Sequence, residues 1–293
     1  MDLAYYPGCS LYQSAKLYNH QAKLVFGILD MKLKELEDWS CCGATSAGKI
    51  NDFMAVALPA RNLGIAEDSG LSELVIPCSA CYSRTMVAQK QLEDFPLLKN
   101  EINLELTKKV KGNIKVSSAL DVLRRAVRGS KFNSMTLEKL EGYKPACYYG
   151  CMNTRFPYDV TISDNVENPQ SMETVLEAIG VAAVDWNYKT FCCGASSVIY
   201  NTDCTLDLMA KIMGDAVSRG ADCLVVNCPM CQMNMESQQE QYCEKHDIKE
   251  RLPVYFITEL LGLALGLSKE DLQPGDNLFI TGMDLTDLCG DSV

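Results

Sequence analysis

The sequence predicts an α/β protein of two pseudo-symmetric halves, 1–144 and 145–293, each a small, mostly parallel sheet with flanking helices. Three observations lead there. The same three cysteine landmarks occur twice in the 293 residues, in the same order. Short apolar runs alternate with longer segments of helical period in both copies, the pattern of parallel strands joined by helical crossovers. The composition, 47% apolar and 22% charged, is that of a globular chain long enough to bury a core without disulfide staples.

Residues 3–6 and 146–149 read as strands. Each runs into a lone cysteine, through Tyr5-Tyr6-Pro7-Gly8-Cys9 in one copy and Tyr148-Tyr149-Gly150-Cys151 in the other. Helices follow over 15–29 and, behind Asn168-Pro169, over 171–179. Strands over 34–39 and 181–186 each end in Asp-Trp before Cys41-Cys42-Gly43 and Cys192-Cys193-Gly194. Helices over 52–67 and 205–219 stop near Gly70 and Gly220. Apolar runs over 73–76 and 223–226 then read as buried parallel strands leading to Cys78-x-x-Cys81 and Cys228-x-x-Cys231, each opening a helix. A strand and helix over 114–127 and over 254–265 close the halves. Spacing supports duplication: 35 and 34 residues separate the paired cysteines from the Cys-x-x-Cys, and 31 and 40 lie upstream of the pairs. The longer gap fits a polar insertion around 158–169. All the cysteine landmarks fall at carboxyl ends of strands, where parallel sheets place their sites.

Fifteen Cys against two His determine which chemistry remains. His20 and His246 give no His-x-x-x-His, so zincin sites and facial triads lack ligands. There is no Gly-x-Ser-x-Gly, no Gly-x-Gly-x-x-Gly and no Walker loop. A net charge of -11 argues against a nucleic-acid backbone as partner. The first 15 residues lack signal-peptide character, the longest apolar stretch is too short for a bilayer, and the cysteine count is odd. The expectation is a reduced, cytoplasmic protein whose cysteines serve metal or redox chemistry. Residues 84–144 carry 13 Lys/Arg against 7 Asp/Glu. That segment reads either as a surface for an acidic partner or anionic substrate, or as a solvated helical connection.

Two cysteines at i and i+3 on a strand–helix turn can face one metal. Successive thiolates at a Cys-Cys pair are awkward as two corners of tetrahedral zinc and suit a cluster of several irons. Gly43 and Gly194 relieve bulk and permit unusual backbone angles beside such a group. Four thiolates would satisfy a zinc ion or a cubane cluster. Five are available in each half: Cys9, Cys41, Cys42, Cys78 and Cys81, then Cys151, Cys192, Cys193, Cys228 and Cys231. Cys147 could replace Cys151, but Cys151 aligns with Cys9 through the preceding Tyr and Gly. Cys147, Cys204, Cys223, Cys243 and Cys289 have no counterpart in the repeat and read as small buried or incidental thiols.

This pattern resembles the CCG-domain (cysteine-rich domain) family, and within it the B subunits of methanogen heterodisulfide reductases. The resemblance implies a noncubane 4Fe–4S cluster held by the five cysteines of each half. It implies reductive cleavage of the coenzyme M–coenzyme B disulfide in methanogenesis, one electron coming from each of two facing clusters. Electrons would come from iron–sulfur (C-type) and flavin-bearing (A-type) partner subunits of heterodisulfide reductase, in a larger complex with hydrogenase or formate dehydrogenase. Other members suggest a lactate-, glycolate- or quinone-linked oxidoreductase subunit. A non-catalytic zinc or iron–sulfur scaffold is a third reading, with zinc in one half a variant. Anionic coenzymes direct attention to Arg84, Arg155 and Lys49 as substrate contacts, although surface salt bridges would explain the same residues. Met230, Met233 and Met235 offer either a pliant wall for a thioalkyl chain or core filling.

Overall fold

The computed structural model describes residues 1–273 apart from 45 and 141, so Cys289 lies outside the described residues. Four short strands build the first sheet: β1 (Asp2–Tyr5), β2 (Lys32–Glu35), β3 (Glu73–Ile76) and β4 (Lys115–Ser118), in the order β2-β1-β3-β4. Every pairing is parallel, with Leu3 opposite Leu33, Ala4 opposite Leu74 and Leu74 opposite Val116. The second sheet holds β5 (Pro145–Tyr148), β6 (Cys223–Val226) and β7 (Val254–Phe256) in that order, also parallel. The strands buried at every residue are β3, β5, β6 and β7, and they are composed mainly of apolar residues.

The expected strand over 181–186 does not form, and the second sheet is one strand narrower than the first. In the first half the Leu36 amide bonds the Tyr5 carbonyl at 2.9 Å and helps fix β2 beside β1. At the corresponding place the Trp186 indole N–H takes the Cys147 carbonyl at 3.1 Å. Only the Val184 amide then reaches β5, on Pro145 at 2.9 Å, and no ladder develops. Elsewhere the helices match expectation closely: Lys16–Ile28, Asp52–Asp68, Ser171–Ala178 and Thr202–Ser218. The two long helices after the Cys-Cys-Gly turns start alike. Asn51 accepts from the Met54 amide and Asn201 from the Cys204 amide, each an N-cap bond.

Alternation along the strands separates two cores, both shared by the halves. One face gathers Ala4, Tyr6, Leu74, Ile76, Ala146, Tyr148, Leu224 and Val226. The other takes Leu3, Tyr5, Val75, Cys147, Tyr149 and Val225. Helices also cross between halves, Lys16–Ile28 packing on Ile257–Ala264 and Ala119–Val127 on Ser171–Ala178. Among the described residues no helix is long and apolar enough to cross a membrane. Part of the basic segment is engaged in ion pairs, Lys90 with Asp94, Lys108 with Asp68, Lys115 and Arg125 with Glu73, and Arg124 with Asp121.

Candidate metal centres

Each strand of the pseudo-symmetric pair β1 and β5 is followed by a glycine with positive φ, Gly8 at 74° and Gly150 at 66°. The left-handed angle turns the chain sharply, and the missing side chain leaves room for a sulfur. A Cβ on Gly8 would lie 2.7 Å from Cys81 Sγ, and one on Gly150 2.9 Å from Cys231 Sγ. The second member of each Cys-x-x-Cys therefore sits directly over the glycine preceding the lone cysteine. Tyrosines hold the paired cysteines in place. Tyr6 donates to the Ser40 carbonyl at 2.8 Å and Tyr148 to the Phe191 carbonyl at 2.6 Å, each the residue just before the pair.

The ten predicted cysteines gather as neighbouring sulfurs within each half. Cys9 Sγ lies 3.9 Å from Cys41 Sγ, and Cys42 Sγ 3.3 Å from Cys81 Sγ. In the second half Cys193 Sγ lies 3.8 Å from Cys231 Sγ, and Cys151 bonds Cys192. The sets meet at their inner ends, where the Cys78 and Cys228 thiols lie near enough across the halves to shift each other's ionisation. Access falls along each set. Cys9, Cys41 and Cys192 are exposed and Cys151 is half-buried, whereas Cys42, Cys78, Cys81, Cys193, Cys228 and Cys231 are buried. Cys147 and Cys223 point into the opposite core, away from both sets. Cys147 is thereby separated from the role open to Cys151.

Hydrogen bonding divides the thiols into proton donors and proton acceptors. The Cys41 thiol, then Cys81, pulls Cys42 down to about 3, and the Arg84 charge adds to this. Cys192 is pulled down to about 6 by Cys151, with help from the Gly194 amide. Bonds from Cys231 and Cys78 hold Cys228 well below the usual thiol range. The bond to Cys228 raises Cys78, while Cys42, Cys78 and burial raise Cys81. Thiolates are the metal-binding form, so part of each set is prepared for a metal.

These residues fit an iron–sulfur group. The donors in each set are all sulfur. Among the described residues, no three Cys, His, Asp or Glu side chains stand close enough together to hold a single metal ion. Around the sulfurs lie buried polar atoms without protein partners: the Ser79 and Ser83 hydroxyls and Oδ1 of Asn153 and Asn227. Hydroxyls so placed can donate to cluster sulfur, the usual means by which a protein tunes such a group.

The substrate candidates separate. Arg84 and Lys49 line one cavity of about 720 Å³ with Asp52, Phe53, Val56, Val87 and Phe95, bordered also by Pro157 and Ser196 of the second half. Arg84 Nε is buried with no hydrogen-bond partner, and Lys49 Nζ lies 5.7 Å from the Tyr200 ring centroid. Arg155 is engaged by Glu167 of the polar insertion at 3.2 Å and by Thr190, just before the second Cys-Cys pair, at 3.2 Å. Met230 meets Ser10 across the halves, its Sδ accepting from Oγ at 3.7 Å, and Met235 is core. The residues that sequence reasoning missed are Gly8, Gly150, Tyr6 and Tyr148, and the shared Tyr and Gly before each lone cysteine were the available signal. It also missed a buried ion pair below the second Cys-Cys turn, Lys189 Nζ to Glu173 Oε1 at 2.7 Å. Nothing in the repeat marks that pair.

Residues 3–84 and 145–236, together more than half of the chain, each match the model of the cysteine-rich domain. An 8-methylmenaquinol:fumarate reductase membrane anchor subunit from Wolinella succinogenes is 32% identical over 94% of this chain and 96% of its own. The B subunit of a ferredoxin:CoB-CoM heterodisulfide reductase from Methanosarcina mazei is 27% identical over 92% of this chain and 91% of its own. Among solved structures, a hypothetical protein from Helicobacter pylori superposes with a TM-score of 0.74 at 16% identity. The match covers 92% of this chain and half of that longer one, and shows a shared fold.

Proposed function

The chain belongs to the cysteine-rich domain family, and from that premise we propose that it is the substrate-reducing iron–sulfur subunit of a multisubunit oxidoreductase. Its halves, divided at 144/145, would each hold one noncubane 4Fe–4S cluster. The ligands would be Cys9, Cys41, Cys42, Cys78 and Cys81 in the first, and Cys151, Cys192, Cys193, Cys228 and Cys231 in the second. The observation that carries this is the double five-cysteine set with its matched glycine cradles. Bound clusters would supply electrons one at a time, so two of them meet the demand of a two-electron reduction.

The substrate we assign is the coenzyme M–coenzyme B disulfide, which takes two electrons and two protons to give two thiols. In its favour is the cavity that joins the Arg84 and Lys49 cations to apolar walls, suited to acidic groups carried on an alkyl body. Electrons would arrive in the cytoplasm from the iron–sulfur (C-type) and flavin-bearing (A-type) partner subunits, linked to hydrogenase or formate dehydrogenase. A quinol-linked reductase subunit is the second reading, favoured by the 32% identity to the Wolinella succinogenes protein.

Iron, acid-labile sulfide and zinc per chain test the cofactor. About eight irons with little zinc is expected for two such clusters, and zinc alone overturns the redox proposal. The disulfide and a menaquinone analogue, each assayed with a reduced viologen, test the substrate. Turnover of the disulfide supports the assignment, and turnover of the quinone alone replaces it with the second reading.

A further inference from the structure

Where the two cysteine sets meet, one side chain from neither set is inserted. Tyr18, on the Lys16–Ile28 helix of the first half, is 1% exposed. Its ring stacks parallel on Phe256 of β7 in the second half, centroids 4.2 Å apart. Its hydroxyl donates to the Asn227 carbonyl at 3.4 Å, a long bond to the residue immediately before Cys228. Asn227 also keeps a buried Oδ1 with no partner, so this corner is polar and incompletely satisfied. Buried hydroxyls find acceptors when they can, and a thiolate is a stronger acceptor than a carbonyl held at long distance.

We propose that Tyr18 is a positioning residue at the junction between the two centres: its hydroxyl fixes the Asn227–Cys228 turn against Cys78 and donates to the junction sulfur when the centres are loaded. The inference rests on the two-cluster reading. A hydrogen bond to a ligand sulfur stabilises the reduced, more negative state of a cluster and raises its potential. One residue at the inner end of both sets would set how evenly the two centres share electrons.

The test uses holoprotein carrying Tyr18→Phe, which keeps ring, volume and the Phe256 stack and removes one oxygen. Iron per chain should equal that of the unsubstituted protein. A redox titration followed by electron paramagnetic resonance should show at least one centre shifted to more negative potential. A second measurement is independent of the titration. In deuterated water the reduced unsubstituted protein should show an exchangeable deuteron coupled to a centre, and Tyr18→Phe should lack it. Unchanged potentials with full iron, or an unchanged deuteron coupling, overturn the proposal. Loss of iron in Tyr18→Phe also overturns it, because the residue would then serve packing. An unsubstituted protein without iron fails differently, at the two-cluster reading itself.

Discussion

Substituting Gly8 by Ala probes the cradle under Cys81. The new Cβ would lie 2.7 Å from Cys81 Sγ, about 1 Å inside ordinary van der Waals contact. Two costs add. Holding a non-glycine residue at a φ of 74° costs about 1–2 kcal/mol, and relieving the overlap costs about 1–3 kcal/mol more. The sum, about 2–5 kcal/mol, is within the ~5–15 kcal/mol that holds a typical domain together, so most of the chain should still fold. The sulfur, however, must move by several times the ~0.2 Å that a metal site tolerates. Gly8→Ala should therefore lose about half the iron and labile sulfide per chain while the second half remains loaded. Gly70→Ala is the control: its φ is 75° and nothing lies within 4 Å of its Cβ. It carries the backbone cost alone and should keep all its iron. Full iron in Gly8→Ala, or equal loss in Gly70→Ala, would refute the reasoning.

Lys189→Met leaves Glu173 charged and enclosed, the pair being 6% and 9% exposed at their side chains. Breaking such a pair costs about 3–5 kcal/mol, so the melting temperature should fall by roughly 10 °C. Adding Glu173→Leu should restore most of the loss, and a double variant no more stable than the single one contradicts this. Burial pushes Glu73 up, but hydrogen bonds from Ser117, Lys115 and Arg125 outweigh it and hold the carboxyl below its ordinary 4.5. A group depressed on folding stabilises above its unfolded pKa and loses that contribution as pH falls through the folded one. Glu73→Gln should lower the urea midpoint at pH 7, and its deficit should shrink towards pH 3. A deficit that grows in acid would show the sign to be wrong.

What could be read in the sequence was whatever repeats or is buried on every side. Glu73–Ile76 and Cys223–Val226 begin and end where their apolar runs do, because both faces of those strands are covered. The assignment of Cys151 over Cys147 follows from the period of a strand. Position 147 aligns with Tyr5, and both point into the far core. Long-range substitutions of one bond for another were hidden. The Trp186 indole taking the carbonyl that β5 would offer to a strand cannot be inferred from a run that reads as apolar. Nor does a repeat say how its copies face each other. The Cys78–Cys228 contact and the Tyr18–Phe256 stack are properties of the interface, and each half alone carries no trace of them.

The outward slope of the two sulfur rows, from buried Cys78 and Cys228 to open Cys9, Cys41 and Cys192, also orders events in time. Under the two-cluster proposal, iron delivered to a newly folded chain would meet the outer thiols first and would have to pass inward. Oxygen and peroxide arrive by the same route, so damage begins at the sulfurs that water reaches and leaves the inner ones for last. The inner thiols, shielded from that route, would be the last to be oxidised.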